Sequence, residues 1–170
     1  PYSNREPAYS RDPLKAFLES AGLLYVFLGK ELGARRDEAE CYLDGIARYD
    51  LIEKTSTFGD GLERLRKGAG KYRIALLCAE KDPLTCHRSI LVGRSLATEG
   101  YPMIHLYADG SEEDQESLET RLLQEEEKSS EEIDFESGNL KTRKQMLGEC
   151  YAARAESMVY REKSEATGIL

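Results

Sequence analysis

An α/β fold with a parallel sheet is what this chain predicts, on three observations. Two continuous apolar runs, Leu-Leu-Tyr-Val-Phe-Leu at 23–28 and Ile-Ala-Leu-Leu-Cys-Ala at 74–79, have the composition of strands buried on both faces. Residues 72–107 then read strand, helix, strand: a run to Ala79, a helix from Cys86 to Glu99 closed by Gly100, and Pro-Met-Ile-His-Leu-Tyr at 102–107. A βαβ unit of that length is right-handed and parallel. Finally, 170 residues, 40% of them apolar and 33% charged, suit one soluble domain with a proper core.

The first eleven residues carry two prolines and no periodicity, so a surface loop is expected. Asp12 with Pro13 then opens a helix. Its Leu14, Phe17, Leu18 and Ala21 follow the i, i+3, i+4, i+7 spacing of a buried face, and Gly22 ends it. After the strand at 23–28 comes a glycine-punctuated loop, 29–36. A helix around 38–43 is followed by irregular chain. Asp60 caps a helix over 61–67, with Leu62 and Leu65 facing inward, and Gly68 to Gly70 turn the chain into the strand at 72–79.

Asp109 and Gly110 form a turn, and beyond them the character changes. Residues 112–136 are strongly acidic, with Leu118, Leu122 and Leu123 on one helix face. The stretch 128–139 reads as a loop. Residues 140–160 return to a helical pattern with Met146, Leu147, Tyr151, Ala155 and Val159 as a packing stripe. The expected organisation is a single domain, with a core at 1–110 and an acidic helical extension at 111–170. Pro1 has no initiator methionine before it, and Pro1-Tyr2-Ser3 reads as the exit of an element, so a piece of a longer protein is expected.

Charge and composition exclude several classes. A net charge of −8 argues against broad nucleic-acid binding, although Arg5, Arg11, Arg35 and Arg36 leave a local basic site open. No apolar run nears the ~20 residues of a membrane span. Four irregularly spaced cysteines suggest reduced thiols in the cytoplasm rather than a disulfide framework. Dinucleotide, Walker, nucleophile-elbow and HExxH motifs are all missing. A tyrosine-phosphatase-type loop is excluded too, because its arginine position holds Val92.

The chemistry concentrates at 74–88, where two thiols, a carboxylate, an imidazole and a guanidinium follow a strand end, the edge at which α/β sheets bind ligands. Cys86, at a helix start, is a thiolate nucleophile candidate, or else a small buried residue. Glu80 is a candidate acid/base, or else a partner for Arg88 or Lys81. His87 and Arg88 oppose the helix dipole, which fits recognition of a phosphate or carboxylate better than stability. Cys78 joins Cys86 as a possible redox pair. A metal is not expected: the Cys78, Cys86, His87 spacing matches no common zinc pattern, and adjacent Cys-His rarely reaches one ion. Arg35, after Gly29 and Gly33, shares the sheet edge if the strands are parallel neighbours, and Ser3 and Arg5 join it if a strand precedes them.

Cys-Ala-Glu-Lys-Asp-Pro at 78–83 with Cys-His-Arg at 86–88 resembles the signature of the bacterial and archaeal domain of unknown function 488 family. Leu28-Gly29 with Leu32-Gly33-Ala34-Arg35, Phe58 with 61–65, and His105 with Asp109-Gly110 agree in order and spacing. The likeness covers about residues 1–110, with Pro1-Tyr2-Ser3 similar to the segment after the family's first strand. It implies a three-layer α/β sandwich with a mainly parallel sheet, and a site at Ser3, Arg35, Cys78, Glu80, Cys86, His87 and Arg88. It names no cofactor and no activity. The expected function is an enzyme acting on an anionic, nucleotide-like substrate, with Cys86, Glu80 and Cys78 catalytic and His87, Arg88, Arg35, Ser3 and Arg5 binding. A non-catalytic anion-binding module and a thiol redox sensor stay open beside it. A small anionic ligand or nucleotide is the expected partner, and no membrane.

Overall fold

Phe58, Leu62 and Leu65 recur at helical spacing, and the burial of that face organises the N-terminal half of the molecule. The computed structural model describes residues 6–129, 132–134, 136–158 and 160. After a 3₁₀ turn, Pro7–Tyr9, come α1 (Arg11–Ser20), α2 (Gly29–Leu32), a second 3₁₀ turn (Ala39–Cys41), and the hairpin β1 (Tyr42–Leu43) and β2 (Ile46–Ala47). Then follow α3 (Tyr49–Ile52), α4 (Ser56–Ala69), a 3₁₀ turn (Pro83–Thr85), a π-helical turn (Arg88–Gly93) and α5 (Arg94–Thr98). The chain closes with β3 (Ile104–Leu106), β4 (Glu112–Asp114), α6 (Gln115–Glu125) and α7 (Arg143–Met158).

The expected parallel three-layer sandwich is not formed. The described residues contain two sheets, each of two antiparallel strands, β1 with β2 and β3 with β4. Among the described residues the runs at 23–28 and 73–78 form no strand, and they are only partly covered: Leu28 and Leu76 pack against the core, while Leu24 is 79% and Leu77 63% exposed. The βαβ unit therefore loses its first strand, and its second, cut to Ile104–Leu106, turns back at Gly110 to pair with Glu112–Asp114. An apolar run states a need for burial without naming its partner. A hairpin closes a short loop, whereas a parallel ladder must close a long one first.

Local chemistry accounts for the other differences. The helix expected around 38–43 gives way to the β1–β2 hairpin, because Asp44 and Gly45 both take positive φ, the backbone of a type I′ turn. α4 starts five residues earlier than expected from Asp60, since the Thr55 side chain accepts from the Phe58 N–H and caps it. α1 begins at Arg11, and its expected buried face stays open, with Phe17 68% exposed. Asp114 caps α6 by accepting from the Ser117 N–H.

One apolar cluster joins the two halves. Ile52, Phe58 and Leu62 pack with Leu84, Ile90 and Leu91, and with Leu118 and Leu122 of α6 and Tyr151 of α7. The acidic helix thus supplies two fully buried leucines on the expected face. Of the stripe expected on α7, Met146 and Tyr151 are buried, while Val159 lies outside the described residues. Among the described residues no helix is long and apolar enough to cross a membrane.

Candidate functional site

Leu84 is what places the chemistry. The loop between Cys78 and His87 has few apolar residues, but Pro83 and Leu84 sit in its 3₁₀ turn and are buried, Leu84 completely. Asp82 caps that turn, its carboxylate accepting from the Leu84 N–H at 2.9 Å. The same carboxylate is held in a fork by Arg121 of α6, at 3.0 and 3.2 Å. The middle of the loop is consequently held against the core and α6, with the residues on either side of it drawn together.

Cys78 Sγ lies 2.7 Å from Glu80 Oε2 and 3.4 Å from His87 Nδ1, while Cys86 Sγ lies 3.5 Å from the same Glu80 oxygen. The donor atoms of Cys78, Glu80, Cys86 and His87 all fall within 4.8 Å of one another. Cys86 and His87 are neighbours in sequence yet face one point, because the backbone changes between them. Cys86 is extended at φ −130°, ψ 132°, and His87 is already helical at φ −61°, ψ −23°. Cys86 is completely buried, Cys78 and His87 are half-buried, and Glu80 is exposed.

The electrostatics are those of a coupled group. A hydrogen bond from the Cys78 thiol holds Cys86 below the ordinary thiol range, opposed by burial and helped by the Arg88 backbone N–H at 3.4 Å. Cys78 is pushed up by that same partnership and by burial, so the two sulfurs hold one proton between them more readily than none. For Glu80 burial acts upward, but the two thiols hydrogen-bonding to it outweigh this and keep the carboxylate low. Burial likewise opposes the charged form of His87, and Cys78 outweighs it, raising the imidazole. Tyr49 of α3 feels the same charges: burial, then Cys86, Glu80 and Cys78, push its phenol up to about 12.

Arg88 is half-buried at the rim, and among the described residues its guanidinium reaches the Lys81 carbonyl alone, at 3.4 Å. A cavity of about 280 Å³ is lined by Tyr49 with Arg48, Glu53, Ile90 and Arg94, and by no member of the cluster. Arg35 is not brought to the cluster; its guanidinium lies over the Tyr160 ring at 4.5 Å. The buried arginine is its neighbour Arg36, which donates to the Lys30 and Glu31 carbonyls at the end of α2, to Glu38 and to Thr55. Ser3 and Arg5 lie outside the described residues. Tyr49 and Arg121 carry no signal in the sequence, being far along the chain from the loop they serve.

A family model described as a domain of unknown function, DUF488, matches residues 1–95. The chain belongs to this family. No curated protein and no solved structure matches it. The DUF488 match ends inside α5, so it includes the whole cluster and stops short of Arg121.

Proposed function

We propose that this DUF488 chain is an enzyme acting on an anionic, nucleotide-like substrate at the Cys78, Glu80, Cys86, His87 cluster. The observation that carries the reading is the convergence of two thiols, a carboxylate and an imidazole on one point, with a guanidinium beside it whose one tether among the described residues is a long hydrogen bond. Glu80 is the exposed member and transfers the proton at the rim. Arg88 binds the anion, its fork free to take a phosphate or carboxylate in two hydrogen bonds. Cys78, Cys86 and His87 form the reactive floor beneath them. The free, closely placed thiols also support a reducing compartment, the cytoplasm.

The test is a thermal-shift screen with nucleotides, pyrophosphate and inorganic phosphate, followed by product analysis of every hit. The expected result is a shift that Arg88→Met removes and Glu80→Gln keeps, with turnover lost in Glu80→Gln. No shift with any anion, or turnover unchanged in Glu80→Gln, overturns the assignment.

A further inference from the structure

Glu80 transfers the proton and Arg88 holds the anion, but the sulfurs and imidazole of the floor have neither task. Two cysteines, one of them completely buried, and a histidine turn toward a single point where any small apolar residue would have packed as well. We infer that Cys78 Sγ, Cys86 Sγ and His87 Nδ1 are the ligands of a bound zinc-class divalent cation, with Glu80 as its fourth, displaceable ligand.

Geometry is the first support. Tetrahedral bonds of about 2.0–2.3 Å set donor atoms roughly 3.3–3.8 Å apart. The separations here are 3.4 Å between Cys78 and His87 and 3.5 Å between Cys86 and Glu80. The Cys78 to Glu80 distance, 2.7 Å, must open, which the exposed Glu80 is placed to do, and the remaining donor pairs already lie within 4.8 Å of one another. The change from extended to helical backbone between Cys86 and His87 lets adjacent residues serve one ion, which consecutive residues in one regular element would not do.

The donor set is the second. Two thiolates with an imidazole select a borderline-soft ion such as Zn²⁺ over Mg²⁺ or Ca²⁺, which require oxygen donors. Three protein ligands plus one replaceable position is the arrangement of catalytic rather than structural zinc. The burial gradient agrees with it, since the buried Cys86 lies at the inner end and Glu80 at the solvent end. Rigidity is the third, because Leu84, the Asp82 cap and the Arg121 fork pin the intervening loop without touching the donors. The inference rests on the same cluster as the proposed function but not on its substrate.

The test is anaerobic titration of the reduced full chain with Co²⁺, then displacement by Zn²⁺. The expected result is one Co²⁺ per chain, with a thiolate-to-cobalt charge-transfer band and the visible bands of a tetrahedral site. Cys78→Ser, Cys86→Ser and His87→Ala each weaken binding by more than the ~100-fold that loss of an outer-shell partner costs. Cys41→Ser and Cys150→Ser leave it unchanged. X-ray absorption on the zinc-loaded wild-type chain requires no variant to fold, and it should show two sulfurs among the four nearest atoms. Failure of the wild-type chain to bind, or a charge-transfer band that persists in the Cys78→Ser/Cys86→Ser double variant, overturns the inference. Anion turnover by a wild-type chain that binds no metal overturns the metal site alone, and metal binding with no anion recognised overturns the substrate reading alone.

Discussion

Arg121 is the residue whose removal tests most directly how the site is held. It lies on α6, yet it forks onto Asp82 at 3.0 and 3.2 Å and onto Glu113 at 3.1 Å through two nitrogens, and it reaches Glu125 at 3.0 Å. It also donates to the Tyr107 hydroxyl at 2.9 Å, which in turn donates to Glu113. Arg121→Met keeps the aliphatic stem and deletes the charge. The exposed pairs, with Asp82 and Glu125, are worth about 0.2–1 kcal/mol each. Glu113, with only 15% of its side chain exposed, is left as a half-buried carboxylate without its partner, and that adds to the loss. Together these set a loss of about 2 kcal/mol, or a fall of about 1 M in the urea midpoint for a chain of ordinary m-value. Urea unfolding followed by circular dichroism measures it, and pairing Arg121→Met with Asp82→Asn in a double-mutant cycle isolates the fork. A loss below about 0.5 kcal/mol, the range of an ordinary surface substitution, or a cycle with no coupling, would refute the view that α6 braces the loop.

Two further outcomes follow from the same structure. Arg121, as the leading cause, holds Glu113 and Asp82 below the usual carboxylate range. A carboxylate whose folded pKa is lowered stabilises the fold above its unfolded pKa, and that contribution is lost as pH falls through the folded value. Stability measured in urea should therefore decline below about pH 5, and less steeply in Arg121→Met; parallel curves for the two proteins would sink the linkage. At the α2–α4 contact, a Cβ on Gly61 would stand 2.6 Å from Leu32 Cδ2 and 2.8 Å from Glu31 Cβ. Gly61→Ala is expected to lose about 1 kcal/mol, the overpacking cost outweighing the gain in helix propensity, and an unchanged thermal midpoint would show that the two helices part freely.

Local patterns carried much of this molecule. The helical stripe of Leu62 and Leu65, the Leu118 and Leu122 face and the clustering of chemistry between Cys78 and Arg88 were all readable, because each depends on residues within a few turns of one another. Pairing of strands was not readable, since apolar runs such as 23–28 specify burial without specifying a partner. The Asp44-Gly45 pair is a local hairpin signal, and the helix expected around 38–43 left it unused. The choice between Arg35 and Arg36 turned on which side chain points back to the end of α2, a fact of three dimensions. Arg121 is 39 residues from Asp82, and nothing in either neighbourhood announces the other.

The π-helical turn sets the phase of the site. Between Arg88 and Gly93 the chain takes a wider turn than the α-helix it feeds, and Gly93 makes room for it, because a Cβ there would meet the Arg88 carbonyl at 3.0 Å. Cys86 and His87 hang from one side of this turn, while Leu96 on the other side is locked in the core. The surplus residue of a π turn is taken up within it, so the chain upstream keeps the direction that points Cys86 and His87 at Cys78 and Glu80. Gly93, a residue outside the cluster, is what leaves room for that surplus.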